Sequence, residues 1–564
     1  MKTPTTQQSL TFLLRYMFLA IAAVMVAVTA GCGDGHDDSP GSGDVGTVLV
    51  RGAPMVGGAN GRFFDRDDTL YVANVFGQTI SQLDPESGEV KGRLGRSEGV
   101  GVGADDLTID AFGTLYWTDP TLGTVKAKPE GEEAFVIAES FPRANPITIG
   151  DDDRLYFAQC FYDGPNGIFE GDPAGAMVPR VIREEDPDCA SNAMDWWDGK
   201  LYSPRWFEGR VVSVDIESGQ LTDITTNWGA PAAVKFNSRG ELYGVNQGNG
   251  EVARIDLNTG EREVLAVFPE GWLDSLAFDS SDRLFVSSAS EGTVAEILDN
   301  GKIREVSPGG MIVPMGLARI DNTLYVTELA TVRGFNLNSG KEVYTLRSTF
   351  GLGDFKSPTN VSAVGDKLIM MSFISNQLLI WDLTTDTAVA ETSLLLPVDA
   401  EPFEGDLLVT EIGAGRITRV RLPDLVERET VAEGLNFPAG LAVYDDDVYV
   451  SDSVQGTVFR VIHDGEVLAE LQAVATDLEV PEGITITPDG KHLLVVEGDV
   501  SRLTQIDLET GSRITIAEDL QFQPRKAIPG LITHWFNDVE VDGSGRIYVN
   551  SDAGNVIYRF NPEL

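Results

Sequence analysis

The chain has 564 residues, with 42 Lys and Arg against 87 Asp and Glu, for a formal net charge of −45. Such a surface repels polyanions, which excludes nucleic acid and anionic membrane as partners of the folded part. The roughly 520 residues after the N-terminal segment are too many for one core of short strands, so two domains are expected.

Taken in order, the chain opens on an export signal. Lys2 and Arg15 flank a polar start, Tyr16 to Ala30 is apolar but too short for a permanent span, and Val28-Thr29-Ala30-Gly31-Cys32 reads as a bacterial lipobox. Residues 1–31 are then the signal, and Cys32 is the lipidated residue that attaches the chain to a membrane. Thr29 stands where such motifs usually carry Leu, which leaves an ordinary signal peptide with an incidental cysteine as the alternative. Residues 32–45 have no apolar period and read as a flexible acidic tether. The location this predicts is the bacterial cell envelope, on the periplasmic or outer-membrane side. Without residues 1–31 the net charge is −47, which suits a salt-rich habitat or weak divalent-cation binding alike.

From residue 46 onward one phrase recurs. Asp105 to Ala127, DDLTIDAFGTLYWTDPTLGTVKA, holds two short strands and the start of a third, with Gly and Asp at the reversals and β-branched or aromatic residues between. It returns from Thr69, Gly240, Asp447 and Asn537, and twelve copies run from Gly61 to the last at Asp538. The spacing of roughly 43 residues is that of a four-stranded propeller blade. The expected fold is therefore all-β, two tandem six-bladed β-propellers at residues 46–300 and 301–564. A single twelve-bladed ring or a seven plus five split are the alternatives. The last copy ends at Leu564 after three strands, so GTVLV from Gly46 is expected to complete blade 6 and GKIREV from Gly301 to complete blade 12.

Cys160 and Cys189 fall at the same end of neighbouring blades and are expected to form a disulfide in an oxidising compartment; two buried thiols are the alternative. The residue just before each inner strand of the first ring is Asn60, Asp105, Asn145, Asn192, Ala232 and Asp274. Five of these six carry oxygen and should circle one axial opening, a set suited to Ca²⁺, while Asn and Asp also cap turns wherever Gly-rich loops occur. The second ring offers Met315, Thr359, Val398, Ala439, Glu482 and Asn537 at that position, so its candidates are Glu482 and Asn537, with His534 as a nearby base. Trp196, Trp197, Trp206 and Phe207 cluster on blade 4, as a pocket wall or, more simply, as packing between blades. The first ring has no histidine, so no Ser-His-Asp arrangement exists there.

Ser191-Asn192 with Asp198-Gly199-Lys200-Leu201-Tyr202, Pro481-Glu482-Gly483 with Pro488-Asp489-Gly490, and Asn537-Asp538 with Asp542 and Gly545-Arg546 resemble the regucalcin, gluconolactonase and luciferin-regenerating-enzyme family, and the blade phrase resembles NHL-type repeats. The resemblance implies a six-bladed propeller holding one axial divalent metal, usually calcium, and in many members lactone hydrolysis. By it, Asn145 and Asn192 would be neutral ligands, and Asp105 or Asp274 the carboxylate that helps deprotonate a metal-bound water. This chain departs in carrying Asn60 where the family opens with Glu, its Glu-containing phrase lying in the other ring. Two functions of different class follow. One is a membrane-anchored lipoprotein whose propeller faces bind a small molecule or protein partner; the other is a calcium-dependent lactonase or esterase acting through Asp105 and Asp274.

Overall fold

The structure, a computed structural model, describes residues 46–54, 58–101, 103–160, 166–186, 191–269, 271–347, 354–523 and 536–561. The repeated phrase becomes twelve separate four-stranded antiparallel sheets, and the one helical element among the described residues is the 3-10 turn Trp206–Glu208. Two compact units result, one of residues 52–312 and one of residues 1–51 with 313–564. Six sheets belong to each. In the first unit they are blades 1 to 6, at 62–94, 107–139, 144–185, 195–225, 231–267 and 273–307. In the second, blades 7 to 12 lie at 317–347, 360–393, 397–433, 438–475, 481–517 and 539–560. Each inner strand lies beside the next, and the sixth of each unit returns to its first, so both rings close.

The closure differs from the sequence expectation. Thr47–Arg51 does not complete blade 6; it pairs antiparallel with Val556–Phe560 of blade 12, through Thr47 opposite Arg559 and Val50 opposite Ile557. GKIREV does not complete blade 12 either, since Ile303–Ser307 is the outer strand of blade 6, opposite Val294–Ile297. The physical reason is locality. A tight turn, with Leu298 N–H donating to Lys302 O at 2.9 Å, brings Ile303–Ser307 back beside its own hairpin partner at little cost in chain entropy. Blade 12 has three strands of its own among the described residues and takes its fourth from Thr47–Arg51. The boundaries expected at 300 and 301 therefore shift, and the first propeller is an insertion between the first strand of the second propeller and the rest of it. Within the inserted unit the chain enters and leaves side by side, Ala53 N–H donating to Met311 O at 2.9 Å.

Packing explains the phrase. Second strands such as Leu115–Asp119 are buried on both faces because neighbouring blades cover them, whereas an outer strand such as Thr387–Ser393 alternates between exposed and partly buried residues. The core lies between blades. In the first ring, Phe64, Leu70 and Val72 of blade 1 meet Ala277, Phe285 and Val294 of blade 6, and the Phe64 and Phe285 rings are 5.0 Å apart. That apolar seam closes the first ring without a shared strand. The tryptophans pack too: Trp196 stacks on Tyr156 at 4.8 Å and Trp197 on Phe236 at 5.2 Å. Much of the acidity is turn chemistry. Asp110 Oδ1 accepts from the N–H groups of Phe112 and Thr114, and Asp256 Oδ1 from those of Asn258 and Thr259.

Candidate functional site

The inner strands present their residues to the ring axis in levels. At the first level stand the residues just before each strand; the next residue and the one two beyond it form deeper levels. Hydrogen bonds show what the upper levels do. In the first ring Asp106 Oδ1 accepts from Leu107 N–H at 2.9 Å, and its Oδ2 from Ile147 N–H of the next blade at 3.0 Å. In the second ring Asp399 does the same with Ala400 and Leu441, and Asp538 with Val539 and, across the closure, Leu317. A Cβ on Gly61 would collide with Asp106 and one on Gly483 with Asp538, so glycine stands where the neighbouring acid needs room. Hydroxyls add a second staple. Thr118 Oγ1 donates to Asn145 O at 2.6 Å, and Ser451 Oγ to Glu482 O at 2.6 Å.

Other hydrogen bonds occupy the side chains of three of the candidate ligands, Asn192, Glu482 and Asn537. Asn192 Oδ1 accepts from its own neighbour, Ala193 N–H, at 3.0 Å. Asn145 is held by Thr118 through its backbone carbonyl, a bond that does not involve its side-chain amide. Glu482 Oε2 accepts from Asn537 N–H at 2.8 Å, while Asn537 donates to Asp552 Oδ1 at 3.2 Å and accepts from Asn550 at 3.0 Å. His534, Cys32 and Cys189 lie outside the described residues; Cys160, 4% exposed, is disulfide-bonded.

The structure does bring together Asn60, Asp105 and Asp274. Asn60 Nδ2 donates to Asp105 Oδ1 at 3.1 Å, and its Oδ1 is buried without a partner. Burial, then the negative charges of Asp274 and Asp106, push Asp105 well above the carboxylate range; burial and Asp106 raise Asp274 to about 7. Sequence reasoning missed the group beside them. Arg62 is fully buried, none of its three nitrogens has a hydrogen-bond partner, burial lowers it to about 9, and Asp274 is the charge that opposes this. It occupies a position that in the other five blades of this ring holds Leu107, Ile147, Met194, Val234 and Leu276, all in the apolar core. Calcium takes six to eight oxygens. Here Asn192 is committed to a backbone N–H and a guanidinium already supplies positive charge beside Asp274, so the five-residue set does not fit the ion.

The raised carboxylates have a consequence for stability. A carboxyl with a raised folded-state value binds protons that the unfolded chain has released, so its contribution to stability is lost as pH rises from about 4 through the folded value. Asp105, facing Asp274, Asp106 and Asp119, is such a group. Asp105→Asn keeps an oxygen for Asn60 and should raise the melting temperature at pH 8 with no gain at pH 5. A lower melting temperature at pH 8 would show that the ionised carboxylate is wanted there.

Four more charged residues sit deeper, at positions where a blade interior is otherwise uncharged: Asp195 and Lys235 in the first ring, and Glu401 and Glu540 in the second. A charge in the middle of an inner strand was the signal that could have found them, as with Arg62. Lys235 is 5% exposed, 3.4 Å from Asp195 Oδ1 and over the Phe63 ring at 5.8 Å, so the first channel carries its own ion pair.

Fold and axis together define a β-propeller protein with two six-bladed rings. A solved structure of a streptogramin B lyase is similar over 49% of this chain and 92% of that one, at 16% sequence identity and a TM-score of 0.37. No family model and no curated relative matches the chain.

Proposed function

We propose that this chain is a lipid-anchored envelope protein that binds a small molecule or protein partner at its propeller faces. One observation carries the reading: the axial acids one position into the inner strands, Asp106, Asp399 and Asp538, are spent on hydrogen bonds that hold blade to blade, to Ile147, Leu441 and Leu317. What remains for recognition is the loop surface that the rings display. The lactonase reading requires a metal-bound water beside Asp105 and Asp274, where Arg62 stands; the unpartnered Asn60 Oδ1 is what favours it.

The two readings separate in one experiment. Residues 33–564 are assayed against a panel of simple lactones with calcium and with chelator, beside Asp105→Asn/Asp274→Asn. No turnover above the double variant is expected. Chelator-sensitive hydrolysis that the double variant lacks would overturn the binding reading. In the full chain, Cys32→Ala should move the protein from the membrane fraction to the soluble one; a protein that stays with the membrane would remove the anchor.

A further inference from the structure

One turn of the first ring, at the end away from the axial mouth, breaks the pattern of its neighbours. The turn between third and fourth strands is polar in blade 1 (84–89, DPESGE), blade 5 (256–261, DLNTGE) and blade 6 (298–302, LDNGK). In blade 3, between Asn166–Gly171 and Arg180–Glu185, it reads DPAGAMVP over 172–179. Its base is fastened as the other turns are. Asp172 Oδ1 accepts from Ala174 N–H at 3.0 Å, Oδ2 from Ala176 N–H at 3.1 Å, and its carbonyl from Gly175 N–H at 2.8 Å. The tip that follows holds Met177 at 65% exposure and Val178 at 90%. These side chains add nothing to the core and lower solubility, whereas a fastened apolar tip is already ordered for docking.

The loop is one part of a larger patch. A Cβ on Gly175 would meet Ile137 Cα at 3.2 Å and Val136 O at 3.4 Å, so the loop lies along the outer strand of blade 2, Phe135–Glu139. Phe135 and Val136 at the start of that strand are exposed, as is Val181 just beyond the loop. The turn leading into Phe135 carries Glu130, Glu132 and Glu133, all exposed. A Cβ on Gly113 would come 3.4 Å from Glu130 Oε2, which sets the exposed Phe112 beside that turn. The patch is therefore apolar with an acidic border. The cations around it are already engaged: Arg154 and Arg180 both pair with Glu170, and Arg66 pairs with Glu130 at 3.2 Å. Lys128 Nζ donates to the backbone carbonyl of Glu132, and neither the Glu132 nor the Glu133 carboxylate has an ion pair among the described residues.

We infer that this patch of blades 2 and 3 docks a basic, apolar-faced segment of a partner protein, whose apolar side chains cover Met177 and Val178 while its lysines or arginines meet Glu132 and Glu133. The inference rests on the partner-binding reading above and gives it a surface and a partner chemistry. Apolar side chains at the centre with charge at the rim are the anatomy of a protein interface, and an ordered apolar tip is the part of it that carries affinity. Charge selects the occupant. A chain of net charge −45, with Glu132 and Glu133 beside the loop, is repelled by an anionic bilayer and attracted to a cationic segment.

The test uses the whole chain from residue 33 and a labelled synthetic peptide of leucine and lysine, with the leucines on one helix face, beside its counterpart with glutamate for lysine. Binding is read by fluorescence anisotropy in about 0.15 M salt, where diffuse attraction to the acidic surface is screened beyond ~8 Å. The wild type should bind the lysine peptide saturably, one per chain, and not the glutamate peptide. Met177→Ser/Val178→Ser should weaken that binding about tenfold or more, and Glu132→Lys/Glu133→Lys likewise. All four positions are exposed, so an unchanged melting temperature shows that the variants are folded. Val389→Ser, at an exposed outer-strand position of blade 8, should bind as the wild type does. Binding undiminished in Met177→Ser/Val178→Ser would overturn the inference while leaving room for a partner surface elsewhere. No saturable binding by the wild type would overturn it whether or not lactone turnover also removes the binding reading. Capture of phosphatidylglycerol vesicles that depends on Met177 and Val178 would overturn it too, by giving the patch to a membrane.

Discussion

A chain that begins at Gly52, and so lacks Thr47–Arg51, should lose the second propeller while keeping the first. The strand forms the outer edge of blade 12 through its ladder with Val556–Phe560, and Val50, 6% exposed, packs there. Leu49 O lies against Gly340 of blade 7, so the strand also sits where blade 12 meets blade 7. Counting about 1 kcal/mol for each ladder hydrogen bond and about 1.5–3 kcal/mol for burying Val50, its removal should cost ~4–6 kcal/mol. That is on the order of the whole stability of an ordinary domain. Calorimetry should show two transitions in the full chain, and in the truncated one a lower or missing second-propeller transition with the other unmoved. A synthetic peptide of residues 46–51 should restore it in part by adding back the strand. Unchanged transitions in the truncated chain would mean that the outer edge of blade 12 is dispensable.

Arg62→Met should stabilise the first propeller. A guanidinium with no exposure and no hydrogen-bond partner is an uncompensated buried cation, and Asp274 is the charge that faces it. Replacing a whole buried ion pair by apolar volume typically gains about 1–4 kcal/mol, and at pH 6 Asp274, raised to about 7, is protonated and leaves no lone charge behind; methionine already fills this position in blade 4 as Met194, which is fully buried. The gain should be larger at pH 6 than at pH 8. Without the arginine, Asp274, already raised to about 7, takes up its proton more readily and must ionise at the higher pH. The transition of residues 52–312 should therefore rise by several degrees at pH 6. A fall at both pH values would show that Arg62 holds the seam between blades 1 and 6 through partners that outweigh its desolvation.

The twelvefold phrase was legible because each blade is made from local chemistry. The Asx turns of Asp110 and Asp256 and the period-2 burial of outer strands need only residues close in sequence, so they repeat visibly. The axial register was legible for the same reason, and Asn60, Asp105 and Asp274 do come together. What those residues do could not be read. That Asp106, beside them, takes the Ile147 N–H depends on how close the next blade stands, a distance that no single repeat contains.

The sequence by itself determined an all-β chain of twelve four-stranded blades, and the levels at which its acids would meet an axis. Tertiary structure alone decided which ring owns Thr47–Arg51, because two strands of similar pattern compete for two open edges and only the local turn at Leu298–Lys302 settles which edge is filled first. It also decided that Arg62 lies buried against Asp274 while Glu401 faces Glu540 across a channel without a lysine. A charge in a strand carries no mark of its counter-charge until ring closure brings distant blades within reach of one another.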